Sequence, residues 1–325
     1  MIEQILPDLY RMEIPLPKNP LKSLNSYLIK GDGRFLIIDT GMNREECLNP
    51  MMAYLNELGV DLNKTDFYIT HLHADHLGLA ATLSRPSSKV YFNWGEASFL
   101  TYERQVEHIQ EVSKFYIQHG FPAAELEQAW RSHPGYKYSP RQKIEFTPVR
   151  GGDTIAIGDY SFQCIETPGH TPGHMCLYDA NKKIFVSGDH ILFDITPNIT
   201  VWLQMDDSLR HYLASLEKVS SLDVKLVLPG HRRLWHEHKQ RITELQEHHR
   251  DRLDEALVAL EDGEKNAWQI APLISWDIDC KSWEDFPPTQ KWFAIGETIA
   301  HLRYLETSGK VQQRAKGDGV LFGLV

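Results

Sequence analysis

The segment Thr70-His71-Leu72-His73-Ala74-Asp75-His76-Leu77-Gly78 constrains this chain more than any other stretch. It continues an apolar run, Asp66 to Thr70, that reads as a buried strand. Histidines two apart at the end of an extended segment point the same way, because strand side chains alternate. His71 and His73 can therefore bind one metal together. Asp75 and His76 fall just beyond, where the chain is expected to turn into a helix, and reach a second metal close by. Neutral imidazoles with carboxylates suit zinc, iron or manganese. Ligand-capable side chains this dense, after a buried strand, are not what a polar loop with chance histidines looks like.

A dimetal site needs more donors, and three more stand at the ends of predicted strands. His170 lies in Thr167-Pro168-Gly169-His170-Thr171-Pro172-Gly173-His174, Asp189 in Ser187-Gly188-Asp189-His190, and His231 in Pro229-Gly230-His231. Glycines beside these residues let the backbone turn sharply at a sheet edge, where functional loops gather. Pro172 and Gly173 prevent His170 and His174 from forming a simple helical pair, so His174 is assigned a structural or supporting role. His236, His238, His248 and His249 fall in a charged helical stretch and read as solvated surface.

The rest of the chain alternates strand and helix. Short strands are predicted at Leu9 to Leu16, Ser26 to Ile29, Arg34 to Asp39, Lys89 to Phe92, Asp153 to Ile157, Tyr160 to Glu166, Met175 to Asp179, Lys183 to Ser187 and Val224 to Leu228. Helical periodicity marks Glu46 to Leu58 and Ser208 to Ser220, the latter capped by Asp206, Asp207 or Ser208. Residues 96–145 interrupt the pattern with three expected helices, Glu96 to Ile109, Glu111 to His119 and Ala123 to Arg131. Their aromatics (Phe99, Tyr102, Phe115, Tyr116, Phe121, Trp130) suit either an insertion packed on the body or a cap lining an apolar substrate pocket. After a long helix from about Arg233 to Glu261 come helices at Asn266 to Ser275 and at Gln290 to Thr307, with Thr289 as the second one's N-cap. A hairpin around Lys316-Gly317-Asp318-Gly319 follows. The division expected is residues 1–235 as a catalytic domain, with 96–145 as a helical insertion, and 236–325 as a long helix plus a small winged-helix unit.

Jointly, HxHxDH, TPGHTPGH, SGD and PGH, with Ile38-Asp39-Thr40-Gly41 upstream, resemble the metallo-β-lactamase superfamily; TPGHTPGH is especially similar to glyoxalase II enzymes. The resemblance covers residues 1 to about 235. It implies an α/β fold, an αββα sandwich with the metal site at one edge. It also implies that His71, His73 and His170 hold the first of two divalent ions and that Asp75, His76 and His231 hold the second. Asp189 would bridge them, and Asp39 would orient the cluster. Zinc is the first choice, with iron or manganese as alternatives. Two divalent ions less Asp75, Asp189 and a bridging hydroxide leave one positive charge to polarise a carbonyl, with the hydroxide as nucleophile. Asp75 is the residue placed to handle a proton. His190 and Phe193 are candidate substrate contacts from the loop after Asp189.

The stretch Gly188 to Asn198, together with Gly296 to Leu305 and Gly309-Lys310-Val311, resembles a subgroup with an appended winged helix. That subgroup implies hydrolysis of a thioester or ester with a partly apolar acyl group. A cysteine does not stand at position 189, as it would in some lactam-hydrolysing relatives. Arg232-Arg233-Leu234-Trp235 departs from the glyoxalase II continuation. A lactonase would need an oxyanion donor other than the tyrosine missing from His190-Ile191-Leu192-Phe193. An endoribonuclease and a metal-bearing signalling or dimerisation module complete the alternatives.

A net charge of −10 argues against nucleic acid and anionic membrane as partners. Residues 287–325 carry five Lys/Arg against three Asp/Glu, only a slight basic excess. No apolar run approaches the ~18 residues of a membrane span, and Met1 to Pro7 has no signal-peptide pattern; a cytoplasmic location is expected. Cys47, Cys164, Cys176 and Cys280 are scattered and read as small buried hydrophobes rather than disulfides. Trp268, Trp276, Trp283 and Trp292 imply a buried core or a homodimer interface in the C-terminal unit.

Overall fold

The computed structural model describes residues 1–97 and 102–325, with backbone alone for 102–107. Phe99 lies outside the described residues, as does the Tyr102 side chain. Among the described residues two sheets lie face to face. The first runs β1 (Ile2–Leu6), β2 (Leu9–Pro15), β3 (Ser23–Lys30), β4 (Phe35–Ile38), β5 (Thr65–Tyr68), β6 (Val90–Asn93) and β7 (Phe146–Val149), in that spatial order. Pairing is antiparallel through β4 and parallel from β4 to β7. The second sheet comprises β8 (Thr154–Ile157), β9 (Tyr160–Glu166), β10 (Met175–Asp179), β11 (Ile184–Gly188) and β12 (Leu226–Pro229), in the order β12-β11-β10-β9-β8. Only its β11–β12 pair is parallel.

Side-chain alternation assigns each strand's residues to two cores. On the first sheet Tyr27, Ile29, Leu36, Ile38 and Tyr68 face inward, meeting Phe162, Met175, Leu177, Ile184, Val186 and Leu228 of the second. Their neighbours Leu24, Leu28, Ile37 and Phe67 face outward, against Cys47, Met51 and Leu55 of α1 (Glu45–Glu57) and the short helices α2 (Ala74–Leu77) and α3 (Ala80–Leu83). Cys176, Tyr178, Phe185 and Val227 face the other way, onto α8 (Ser208–Ser220) and the first half of α9 (Lys239–Val258). Burial on both faces explains why these strands read as apolar runs rather than as alternating ones. The layering is helix, sheet, sheet, helix, as the αββα expectation requires.

The insertion holds α4 (Trp94–Ala97), α5 (Tyr102–Gln118), α6 (Ala123–Ser132) and α7 (Pro134–Tyr138). The sequence predicts two helices where α5 runs unbroken; no glycine or proline separates Ile109 from Glu111, so nothing stops the helix. Beyond α9 come α10 (Ala267–Ile270), α11 (Pro288–Thr307) and the hairpin β13 (Val311–Lys316) with β14 (Gly319–Leu324). The insertion and the C-terminal segment share one core. Val112, Tyr116, Phe121 and Leu126 pack with Ala256, Ile270, Ile295, Ile299, Leu302 and Phe322, and the tryptophans 130, 268, 276, 283 and 292 border them. Tyr116 stacks flat on Trp292 at 5.3 Å.

Several local expectations need correction. Pro287, not Thr289, caps α11, because Pro288 presets the first helical turn; Thr289 instead lies 2.6 Å, hydroxyl to hydroxyl, from Ser132. His238 and His249 are not solvated surface but 1% and 0% exposed, because α9 buries one face along its whole length. Cys280 is only half-buried and, like the other three cysteines, free. Strands β1 and β7 were unforeseen. Among the described residues no helix is long and apolar enough to cross a membrane.

Candidate metal centre

The ends of β4, β5, β9, β11 and β12 meet at one edge of the two sheets. β4 ends at Ile38, and Asp39 takes a left-handed conformation (φ 57°) that aspartate tolerates better than most residues. There its carboxylate accepts hydrogen bonds from the Thr70 amide (2.9 Å), the Thr70 hydroxyl (2.9 Å) and His76 Nδ1 (2.7 Å). With its own proton given to Asp39, Thr70 Oγ1 accepts from His71 Nδ1 at 3.0 Å. His170 Nδ1 donates to the Asn198 carbonyl (2.8 Å) and His231 Nδ1 to the Ser23 carbonyl (2.7 Å). Each of these four rings spends Nδ1–H on the protein and turns Nε2 inward, the tautomer a metal ligand needs.

His73 presents Nδ1 instead, 3.0 Å from both His71 Nε2 and His170 Nε2. A second group gathers beside it. His231 Nε2 lies 3.4 Å from Asp75 Oδ2, and His76 Nε2 lies 3.9 Å from the same oxygen. Asp189 stands between the groups, 3.5 Å from His76, 3.5 Å from His231 and 3.8 Å from His170. Most of these gaps are too long for good hydrogen bonds but suit neighbouring ligands of one ion, since donors at ~2.0–2.1 Å in a tetrahedron stand about 3.4 Å apart. Among the described residues, buried His76 Nε2, His231 Nε2 and Asp189 Oδ1 have no hydrogen-bond partner. Orphaned buried donors and acceptors are rare, and here all three aim at the same spot. The donor set therefore fits divalent metal ions, in the groups His71/His73/His170, His71/His76/Asp189 and Asp75/His76/His231.

Electrostatics divide the histidines: for His76 burial opposes the charge, but Asp39, Asp189 and Asp75 outweigh it and raise the ring well above the ordinary range. Burial, reinforced by neighbouring imidazoles, holds His71 well below the ordinary histidine range and His73 down to about 3. Burial also lowers His170, Asp189 offsetting it only in part. His71, His73 and His170 are neutral at physiological pH, the form in which an imidazole can bind a metal. Burial opposes ionisation of Asp75, but His76 and His231 outweigh it and bring it to about 2. For His231 burial opposes the charge and is outweighed by Asp189 and Asp75, which raise it to about 9.

Glycines make the approach of the strands possible. A Cβ on Gly230 would stand 2.5 Å from Asp189 Oδ1 and 2.8 Å from His76 Cε1. Gly188 has a left-handed φ of 50°, and a Cβ there would meet His174 Nε2 at 2.8 Å. That His174 nitrogen accepts the Asp189 amide proton at 3.2 Å, while Nδ1 donates to Thr167 Oγ1 at 2.8 Å. His174 thus fixes the backbone of Asp189. His190 and Phe193 are buried in the second sheet's outer core, His190 beside Tyr212 and Phe193 beside Trp235.

Sequence reasoning missed several supporting residues. Glu96, wholly buried, accepts the Gly173 amide at 2.9 Å. Burial pushes its carboxyl up to about 7, and the Gly173 and Leu72 amides pull it back only partly. Trp202 donates to the His170 carbonyl at 3.0 Å and stacks over His73. Asn198 accepts from His170. Thr70 directly precedes His71 and was legible as a neighbour; Glu96, Asn198 and Trp202 carried no local signal.

A dimetal-type donor set at the edge of an αββα sandwich defines a metal-dependent hydrolase, and the chain belongs to the metallo-beta-lactamase superfamily, whose profile matches residues 20–231. A second profile, metallo-beta-lactamase-like C-terminal domain, matches residues 284–322. The Probable metallo-hydrolase YqjP of Bacillus subtilis is 24% identical over 312 residues, 91% of this chain and 92% of its own. The human Acyl-coenzyme A thioesterase MBLAC2 is 26% identical over 224 residues, 64% of this chain and 72% of its own. The solved metallo-beta-lactamase family protein TTHA1429 from Thermus thermophilus superposes with a TM-score of 0.83 at 26% identity, over 99% of this chain and all of that one.

Proposed function

We propose that this chain hydrolyses a thioester or ester with a partly apolar acyl group. In this reading His71, His73 and His170 hold one divalent ion, Asp75, His76 and His231 hold a second, and Asp189 bridges them. The observation that carries the reading is Asp189, whose carboxylate lies within 3.8 Å of nitrogens from both groups. The human relative's thioesterase name supports the substrate class. Zinc is our first choice of metal, with iron and manganese as alternatives under the same ligands.

Two ions in these positions supply a lowered water pKa and a Lewis-acid field for a carbonyl oxygen. The chain's own groups do the rest. Asp39 and Thr70 hold the outer nitrogens of His76 and His71, so that Nε2 of each ring is turned inward. Asp75, the more exposed of the two carboxylates by a small margin, is ionised. It is placed to take the proton of the attacking water and return it to the departing thiolate or alkoxide. Trp202, half-buried and stacked on His73, gives an apolar wall beside the reacting carbonyl for an acyl chain.

The test is a kinetic screen of the zinc-loaded protein against acyl-coenzyme A thioesters of increasing chain length, lactones and RNA, with Asp75→Asn in parallel. Thioester turnover is expected, falling by about a hundredfold or more in the variant, the usual scale for losing a positioned acid–base group. Preference for lactone or RNA would remove the thioester assignment. Equal rates for wild type and variant on every substrate would remove the enzyme.

A further inference from the structure

A buried polar chain links the C-terminal helix α11 to one side of the metal centre. Glu297 on α11 is 5% exposed and Arg252 on α9 is 8% exposed, and they pair at 3.2 Å. The other Glu297 oxygen accepts from the Asn198 side chain at 2.6 Å. The Asn198 carbonyl in turn accepts His170 Nδ1–H at 2.8 Å. The connection is reinforced on either side. The Val201 amide donates to the Gly296 carbonyl at 3.1 Å, and Trp202 Nε1 donates to the His170 carbonyl at 3.0 Å. Gly296 is a glycine of necessity, since a Cβ there would stand 2.1 Å from Thr200 Oγ1. His248 and His249 also bring donor atoms within 4.8 Å of Glu297, but the Arg252 guanidinium already supplies the cation there.

We propose that Glu297 is a positioning residue for the metal centre, holding His170 through Asn198, so that the C-terminal unit sets the affinity of one of the two ions. The inference rests on the ligand assignment proposed above. An ionised pair this buried is costly to desolvate and is a poor source of stability, whereas a fixed acceptor for a ligand's outer nitrogen is worth a large factor in metal affinity. The effect is one-sided. His76, His231 and His71 donate their outer N–H to Asp39, the Ser23 carbonyl and Thr70, all remote in sequence from α11. Loosening Asn198 therefore weakens the ion held by His71, His73 and His170 and spares its neighbour.

Zinc affinities of the full chain, measured by competition with a chromophoric chelator alongside thermal unfolding, test this in Asn198→Ala, Glu297→Ala and Glu297→Gln. Asn198→Ala and Glu297→Ala are expected to weaken one ion about tenfold or more and leave the other within about twofold. Glu297→Gln, which keeps an acceptor for Asn198, restores most of the loss. If Glu297→Ala fails to fold, Asn198→Ala, which leaves the Arg252–Glu297 pair intact, carries the test alone. Folded variants that bind both ions as wild type does, or that lose both equally, overturn the positioning role only. A wild type that binds fewer than two ions overturns the ligand assignment and this inference with it.

Discussion

Glu96 shows how a single buried carboxyl can tie two ligand loops together and leave a mark on stability. Its side chain sits against the amides of Leu72 and Gly173, in the loops that carry His71, His73 and His170. Burial raises its pKa from the ordinary 4.5 to about 7. The folded chain then keeps a proton that the unfolded chain releases between these values, so stability is fully present below about 4.5 and lost as pH rises through 7. Glu96→Gln has no such proton. Its melting temperature relative to wild type is expected to climb as pH rises from about 5 to 8, where the two pKa values place the window. The comparison is made on metal-free protein, so that acid release of metal does not enter it. A difference that stays flat with pH would show that Glu96 does not titrate in this range.

Strand ends are the elements that build the site, and the glycines that close them are its tightest constraint. Gly230→Ala drives a methyl group at Asp189 and His76 together. It is expected to lower metal affinity by about tenfold or more, the scale of a disturbed ligand shell, with little change in secondary structure by circular dichroism. Unchanged affinity would mean that β12 can shift outward without cost. Donor residues after β5, β9, β11 and β12 were legible because each announced itself locally at the end of an apolar run, as the dense His71 to His76 cluster or as a histidine or aspartate directly after a glycine. Asp39 was legible by resemblance, its left-handed backbone not at all. What supports His170 was illegible for a physical reason. Asn198 and Glu297 are 28 and 99 residues from their partners in the hydrogen-bonded chain, and polar side chains on loops and helices have no periodicity to betray burial. The same holds for His249, whose helix reads as solvated by charge yet turns one face to the core.

At the scale of the whole molecule, the insertion and the C-terminal helices form one core rather than two attachments to the sandwich. Phe121, between α5 and α6 and packed 5.0 Å from Trp268, is therefore a structural residue of both. Phe121→Ala is expected to cost about 3–5 kcal/mol in denaturant unfolding followed by tryptophan fluorescence, as for other buried aromatics. A cost within about 0.5 kcal/mol, typical of surface positions, would separate the insertion from the C-terminal core. The α/β body followed from apolar runs and the sandwich from the family resemblance; this shared core followed from neither, because sequence offers no sign of which amphipathic helices meet. The central claim, a pair of divalent ions bridged by Asp189, is tested most directly by anomalous scattering from crystals of the zinc-loaded protein. Two peaks are expected, one enclosed by His71, His73 and His170 and the other by Asp75, His76 and His231, with the Asp189 carboxylate touching both. A single peak, or a pair in which Asp189 touches neither ion, would contradict it.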